Sequence, residues 1–468
     1  MYVKPATPYC GFLERPIPKK TRGGPSTQLY VPHSAAHVLV SAPTETGKTR
    51  RILAPAAVLW DGPAVVVSSK DDLMQYVMER RWGPKALIDL RPITDPVYPL
   101  DVGPRGFDPT VSIDTPYEAL TVAETIMQMA TVGLGSGADQ VSDGGIWESQ
   151  AAGPLAAFLF AASPMGNGKG MPWVLEAVDN IDPEKFTEPG WAAAAGLCHA
   201  YPVLALGMMR ILEMDPRQRD SVAITMRKAI TPWLRSALVH SEPLEPFSPE
   251  FLDDPHATLF VLAPADGTVA GSAVSLLDSL VRRWREKTSR CEQMHRLLMV
   301  IDELPNTAPL PSLRRFVGEG RGLGINLMVA VQDSSQLVTV YGQAYAEELR
   351  RIFPAVLLLY GSREEELLTA AEHWSGLTNR RLQGFGQTSS SKDLGNDLGA
   401  GLRWQELLAS DREHARMLIR GTVGHEVRIP DWSIFLQHFD AAAHRLAAKA
   451  QQSDPRQVNP IRLWADPQ

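Results

Sequence analysis

The chain has 468 residues, of which 44% are hydrophobic and 21% charged, a balance that predicts a globular protein with two or three domain-sized units. Its net charge of −7 argues against a protein that binds nucleic acid over a generally basic surface, although a locally basic channel can still bind nucleic acid. The three cysteines lack metal-binding spacing, and no run approaches the ~20 apolar residues of a transmembrane helix, so neither a zinc site nor a membrane-spanning helix is expected.

Short apolar runs follow a Pro-rich arm, residues 1–36, which lacks the apolar core of a signal peptide and therefore indicates a cytoplasmic protein. The runs show no polar alternation and predict strands buried on both faces. They are Val38–Val40, Ala64–Ser68, Leu259–Leu262, Leu297–Ile301, Ile325–Val331, Ala355–Leu359 and Met417–Ile419. Helical patterns such as Val269–Lys287 separate them, so we predict an α/β fold with a mostly parallel central sheet.

The alternation of strands and helices stops between residues 132 and 240. A Gly-rich segment, Val132–Gly145, opens this region, and helical patterns fill the rest. We predict an N-terminal arm at 1–36, an α/β domain formed by 37–131 and 240–440, an all-helical inserted domain at 132–239 and a C-terminal tail at 441–468. A second segment, Phe385–Gly401, is rich in Gly, Ser and Asp and predicts a mobile surface loop.

The stretch Ser41–Arg50, SAPTETGKTR, lies between the first apolar run and a helical pattern. It matches G-x-x-x-x-G-K-[ST] at its last three positions and departs from it at Ala42, where glycine is usual. In the functional interpretation the loop backbone holds the phosphates of ATP, Lys48 reaches the β- and γ-phosphates, and Thr49 binds Mg²⁺. The predicted nucleotide-binding residues are Ala42, Pro43, Thr44, Glu45, Thr46, Gly47, Lys48 and Thr49. The alternative is a chance G-K-T, which a matching site downstream would exclude.

Two carboxylates follow the buried run Leu297–Ile301. In open α/β sheets ligands bind at the carboxyl ends of the strands, where these side chains would lie. Asp302 would bind Mg²⁺ together with Thr49, and Glu303 would orient the water that attacks the γ-phosphate. The alternative is an acidic turn after a strand, which is common in proteins.

Two further polar residues flank the run Ile325–Val331. Arg321 sits in a Gly-flanked turn before the run and is a candidate arginine finger, which in trans requires a ring of subunits. Gln332 follows the run and could hydrogen-bond the γ-phosphate or the water. The alternatives are a loop salt bridge for Arg321 and a capping side chain for Gln332.

The order of these elements resembles the coupling proteins of type IV secretion and bacterial conjugation, the TraG/TraD-like DNA-transfer ATPases. The resemblance covers about residues 30 to 435. The matching stretches are VLVSAPTETGKT, VVVSSKDDL, Phe107–Pro109, Ile146–Ala151, LLMVIDELPNTAPLPSL and GEGRGLGINLMVAVQDSSQL. The last is the most specific, since R-G-x-G and Q-x-x-S-Q-L occur in it at family-like spacing downstream of D-E.

The resemblance implies a RecA-like P-loop NTPase with an inserted all-helical domain. Related proteins form hexameric rings that hydrolyse ATP with Mg²⁺, recruit relaxase-bound single-stranded DNA and pass it to the secretion channel. The implied partners are therefore sequence-tolerantly bound DNA, a relaxase or other secretion substrate, channel components and further copies of the chain. The implied roles are phosphate and Mg²⁺ binding for Lys48 and Thr49, a Walker B pair for Asp302 and Glu303, a finger for Arg321 and a sensor for Gln332.

This sequence departs from the family pattern in two respects. The family usually carries N-terminal membrane helices, whereas this chain shows none, so partners could hold it at the inner face of the membrane. Ala42 replaces the first glycine, and Glu45 adds negative charge inside the loop, which casts doubt on the strength of ATP binding. Two alternatives stay open: a docking receptor for secretion substrates that does not depend on nucleotide, and an ATPase for DNA segregation or packaging.

Overall fold

The computed structural model describes residues 7–16, 27–94, 96–130, 146–239, 244–292, 294–384 and 393–449. Its strands are β1 Leu13–Pro16, β2 Thr27–Tyr30, β3 His37–Ser41, β4 Ala64–Ser68, β5 Lys85–Asp89, β6 Gly103–Pro104, β7 Thr258–Leu262, β8 Leu297–Ile301, β9 Ile325–Val331, β10 Ala355–Leu359, β11 Leu377–Gly384, β12 Asp393–Ala400, β13 His414–Ile419 and β14 His425–Arg428. Each of the predicted apolar runs lies within one of these strands, so the strand predictions are confirmed.

A π-helical turn, Thr49–Leu53, leads into the first α-helix. The α-helices are α1 Ala54–Leu59, α2 Asp71–Arg80, α3 Pro116–Gln128, α4 Ile146–Ala162, α5 Gly170–Ala177, α6 Trp191–Leu197, α7 Pro202–Leu212, α8 Pro216–Val239, α9 Ala270–Ser289, α10 Leu304–Thr307, α11 Leu313–Leu323, α12 Ser335–Tyr341, α13 Gln343–Ile352, α14 Glu365–Trp374 and α15 Trp432–Lys449. Among the described residues, none of these helices combines the length and the apolar character needed to cross a bilayer.

The first of two units lies within residues 1–60, 330–334 and 349–468. Its sheet strands are hydrogen-bonded in the order β14-β13-β10-β3, and every residue of β3 and β10 is buried. β10 is parallel to β3, whereas β13 runs antiparallel to both β10 and β14. The Pro-rich composition of the N-terminal arm favours irregular structure, but β1 and β2 within it pair in an antiparallel arrangement, with Leu13 opposite Tyr30.

The second unit consists of residues 61–329 and 335–348. Its strands are hydrogen-bonded in the order β9-β8-β4-β7-β5-β6, and every pair among them with a described register is parallel. All residues of β4, β7, β8 and β9 are buried, as expected of strands covered by helices on both faces. This sheet and the flanking helices confirm the predicted α/β fold with a mostly parallel sheet.

Helices α4 to α8 occupy residues 146–239 of the second unit and share one apolar core. The stretch from Leu155 to Ala162 is buried throughout. The ring of Phe158 lies 5.6 Å from that of Trp191 in an edge-to-face arrangement, and Trp191 donates its indole N–H to Val178 O at 3.1 Å. The division at 132–239, like the other domain boundaries, stays a prediction.

The segment Phe385–Gly401 is only partly described. Residues 385–392 lie outside the described residues, and so does the whole of Val132–Gly145. The prediction of a loop is wrong for β12, which pairs with β11 along its whole length from Leu377↔Ala400 to Gly384↔Asp393. A Gly-rich strand carries little local signal, so its pairing with a partner strand decides its structure.

Candidate functional site

The phosphate-loop sequence leaves the end of β3 in the first unit. Ala42 N–H donates to Val331 O at 3.1 Å, and Thr46 Oγ1 donates to Pro43 O at 2.7 Å. Gly47 adopts φ +85°, which suits glycine, and its carbonyl accepts from Arg51 N–H at 2.9 Å. The helix that follows begins at Thr49, so its N-terminal N–H groups and dipole favour an anion here.

The two departures from the loop pattern differ in their structural consequence. Ala42 is fully buried and does not adopt a positive φ, so its backbone conformation does not require glycine. Glu45 is exposed but adopts φ +62°, a left-handed conformation that costs an L-residue about 1–2 kcal/mol. Of the two departures, Glu45 is therefore the one that would weaken ATP binding, whereas Ala42 fits the loop.

Arg51, which the sequence analysis did not single out, anchors the helix after the loop. Its guanidinium is largely buried and donates to Ile429 O at 2.8 Å. Asp431 lies 3.6 Å from Arg51 and 2.9 Å from Arg50. The basic pair directly after G-K-T is a signal in the sequence, but its partners lie some 380 residues away in the chain and could not be inferred.

The two carboxylates lie at the carboxyl end of β8 in the second unit, as predicted. Asp302 N–H donates to Val67 O at 2.9 Å, and the Asp302 side chain is largely buried. Glu303, like Glu45, adopts a positive φ, here +52°, and immediately precedes the short helix α10. Thr307 Oγ1 holds this turn by donating to Asp302 O at 2.8 Å and to Glu303 O at 3.2 Å.

Arg321 does not lie in a turn. It belongs to the last turn of α11, because Leu313, Phe316, Val317 and Gly320 give that helix a buried face that outweighs the cost of its glycines. β8 and β9 are parallel, with Leu297 opposite Ile325 and Ile301 opposite Val329. Arg321 precedes β9, whereas Asp302 follows β8, so the two residues lie toward opposite ends of these strands, and β9 rises roughly 16 Å from Ile325 to the level of Asp302.

The surroundings of Arg321 are basic. Arg296 donates to Arg321 O at 3.3 Å and to Asn326 Oδ1 at 2.9 Å. Burial and, after it, the charge of Arg321 lower the pKa of Arg296. The side chain of Arg321 is exposed, so it is available at the surface of the second unit.

Gln332 directly follows the last residue of β9, as predicted, and belongs to the first unit. Since Val331 O accepts from Ala42 N–H, Gln332 leaves its strand beside the start of the phosphate loop. The structure thus brings Gln332 together with the loop residues 42–49 in the first unit, and the second unit carries Asp302, Glu303 and Arg321.

A cavity of about 820 Å³ in the second unit is lined by none of the predicted site residues. Two of its carboxylates, Asp89 and Asp108, are engaged in structural bonds. Asp89 pairs with Arg91 at 2.7 Å, and Asp108 accepts from Thr110 N–H at 2.9 Å and from Met171 N–H at 2.8 Å. Asp108 belongs to the stretch Phe107–Pro109 that supported the family resemblance, and here it joins the segment after β6 to α5.

Comparison with known proteins supports the resemblance. The conjugal transfer protein TraG of Escherichia coli is 22% identical over 327 residues, which cover 66% of this chain and 50% of TraG, so the chain spans about half the length of this curated relative. The plasmid coupling protein TrwB in complex with a non-hydrolysable ATP analogue has a TM-score of 0.57 at 19% identity, covering 91% of this chain and 96% of that one. TrwB in complex with ADP and Mg²⁺ has a TM-score of 0.55 at 19% identity, covering 85% and 86%.

These likenesses show the fold, which is the RecA-like P-loop architecture of TrwB. The family model for conjugative DNA transfer by the type IV secretory system matches residues 16–376, which is more than half of the chain. The chain therefore belongs to the type IV secretory system conjugative DNA transfer family.

Proposed function

We propose that this chain is an ATP-hydrolysing coupling protein that recruits DNA, as a relaxase-bound single strand, and pumps it toward a type IV secretion channel. The observation that carries the proposal is the phosphate loop. Gly47 at φ +85° is followed at once by Lys48 and by a helix that begins at Thr49, the arrangement that binds phosphate groups. Family membership supplies the biological setting.

The proposed roles follow from the chemistry of each side chain. Lys48 contacts the β- and γ-phosphates, and Gln332 hydrogen-bonds the γ-phosphate. Thr49 and Asp302 supply oxygen ligands, which Mg²⁺ prefers, and the bound ion would neutralise charge on the phosphates. Glu303 accepts a proton from the attacking water and orients it, and the hydroxyl of Thr307 holds the backbone of the turn in which Glu303 lies.

Arg321 is proposed to act on the nucleotide of a neighbouring subunit. It lies toward the end of β9 opposite to Asp302 in its own chain, and the strand between these ends, which rises roughly 16 Å, is longer than an arginine side chain. A guanidinium that stabilises phosphoryl transfer in trans requires a closed ring in which each subunit completes the next site. We therefore propose a homo-hexamer as the active form.

The proposed partners are single-stranded DNA, a relaxase or other secretion substrate, and components of the secretion channel, which would hold the protein at the cytoplasmic face of the membrane. DNA bound through phosphate contacts in a ring channel would be bound without sequence preference. One observation favours a second function, a docking receptor that does not use nucleotide: Glu45 places strain and negative charge in the phosphate loop. A segregation or packaging ATPase would share the same fold and residues.

The test is phosphate release from ATP by the purified chain, with and without single-stranded DNA, at low salt because phosphate contacts weaken steeply with salt. We expect DNA to stimulate the rate and Lys48→Ala to abolish it. Lys185→Ala is a matched control, since it removes an exposed lysine that pairs with Glu188 at 3.0 Å in the helical region, outside the proposed site. A rate that is absent, or that Lys48→Ala leaves unchanged, would falsify the proposal. Tight binding of a relaxase without any ATP binding would support the docking receptor instead.

A further inference from the structure

A buried carboxylate connects three loop ends of the first unit. Glu364, which precedes α14, is 6% exposed. It accepts hydrogen bonds from Ser41 Oγ at 2.6 Å, from Ser334 N–H at 2.8 Å and from Ser334 Oγ at 2.6 Å. The hydroxyl oxygens of Ser41 and Ser362 lie 3.1 Å apart. Both serines that bond to Glu364 are buried, so water does not compete for these bonds.

The directions of these bonds can be assigned. A carboxylate only accepts, so the hydroxyl proton of Ser41 is committed to Glu364. The hydroxyl of Ser362 must then donate to Ser41 Oγ. Bonds to a carboxylate in a buried setting are short and strong, and removal of the acceptor would leave three donors unsatisfied. The carboxylate is therefore the centre on which the geometry of the three loop ends depends.

The positions of the donors link the network to the proposed site. Ser41 immediately precedes Ala42 at the start of the phosphate loop, and Ser334 lies two residues after Gln332. The strand ends on either side of the network are joined independently by the backbone bond from Ala42 N–H to Val331 O. Loss of the carboxylate would leave this bond in place and would release mainly the segment after Gln332.

We infer that Glu364 is a positioning residue that holds Gln332 where it can contact the γ-phosphate, by fastening Ser334 to the strand end that enters the phosphate loop. This inference rests on the proposed function of Gln332. Since ADP lacks the γ-phosphate, Glu364 acts on the preference for ATP over ADP and on turnover, whereas the phosphate loop that binds ADP stays joined to the end of β9 by the bond from Ala42 N–H to Val331 O.

The test compares Glu364→Ala with Glu372→Ala. Glu372 lies at the other end of α14 and accepts a single bond from Trp404 N–H at 2.7 Å, so it controls for loss of a glutamate from the same helix. Dissociation constants are measured for ADP and for a non-hydrolysable ATP analogue, together with kcat for ATP. We expect Glu364→Ala to lower the preference for the ATP analogue about tenfold and kcat by at least as much, with ADP affinity changed less than ~3-fold. Glu372→Ala should match the unaltered chain in all three quantities.

The outcomes separate this inference from the proposed function. An unaltered chain that binds neither nucleotide overturns both. If the unaltered chain prefers the ATP analogue and Glu364→Ala retains that preference, the inference fails and the proposed function stands. If Glu364→Ala does not fold, Ser334→Ala takes its place, because it removes one hydroxyl bond and keeps the backbone bond. A preference unchanged in Ser334→Ala would then overturn the inference.

Discussion

Replacement of Gly47 by alanine should destabilise the phosphate loop by an amount that follows from its surroundings. Gly47 has φ +85°, where an L-residue costs about 1–2 kcal/mol. An added Cβ would lie 2.9 Å from Arg51 Cδ and 3.0 Å from Arg51 Nε, so Arg51 would have to move. Its guanidinium is held by the 2.8 Å bond to Ile429 O, and that bond would be weakened or lost.

The magnitude follows from three contributions. Backbone strain costs about 1–2 kcal/mol, and loss of a hydrogen bond from a charged group costs about 1.5–3 kcal/mol. Alanine restricts the unfolded chain and recovers about 0.4–1 kcal/mol. We expect Gly47→Ala to lower the free energy of unfolding of the first unit by about 2–4 kcal/mol. Gly376 is the matched control, since it has φ +72° but no heavy atom within 4 Å of an added Cβ, and its substitution should cost about 1 kcal/mol.

The assay is urea unfolding of both variants, followed by binding of a fluorescent ATP analogue under native conditions. Gly47→Ala should unfold at lower urea than Gly376→Ala and should bind the analogue more weakly. Equal unfolding midpoints for the two variants would refute the argument that Arg51 crowds this position. Equal affinity for the analogue would refute the assignment of Gly47 to the nucleotide site.

Two further predictions concern other parts of the chain. Thr307→Val removes the hydroxyl that holds the Glu303 turn. We expect kcat for ATP to fall about 3- to 10-fold, which corresponds to the loss of one hydrogen bond, and the nucleotide Kd to stay nearly unchanged. An unchanged kcat would contradict this role of Thr307. Burial raises the pKa of the thiols of Cys10 and Cys198 to about 12 each, whereas Cys291 is exposed. At pH 8 a maleimide should therefore label Cys291 first, as peptide mass mapping would detect, and the other two only on unfolding; rapid labelling of Cys10 would contradict the burial of that residue.

The sequence predicts the strands well because their signal is local. An uninterrupted apolar run such as Ile325–Val331 can be buried on both faces only within a sheet covered by helices. The same reasoning places Asp302 and Gln332 correctly, since a polar residue that directly follows such a strand must lie at the carboxyl edge of the sheet. Both assignments use neighbouring residues only.

The remaining features depend on contacts that the sequence does not reveal. The glycines around Arg321 resemble a turn, yet the packing of Phe316 and Val317 extends α11 through them. The positive φ of Glu45 and Glu303 contradicts their intrinsic preference and is imposed by the turns in which they lie. The hydrogen bonds of Glu364 join residues more than 300 positions apart, as its bond to Ser41 shows, and no local sequence pattern predicts them.

The central claim is that a nucleotide site on one subunit is completed by Arg321 of its neighbour, and a mixing experiment tests it most directly. Lys48→Ala and Arg321→Ala are purified separately, shown to be inactive, and combined in equal amounts with ATP and single-stranded DNA. In randomly mixed rings roughly a quarter of the sites would pair an intact Lys48 with an intact Arg321, so we predict recovery of about a quarter of the activity of the unaltered chain. Activity that stays at the level of the separate variants, in rings shown to exchange subunits, would contradict the claim.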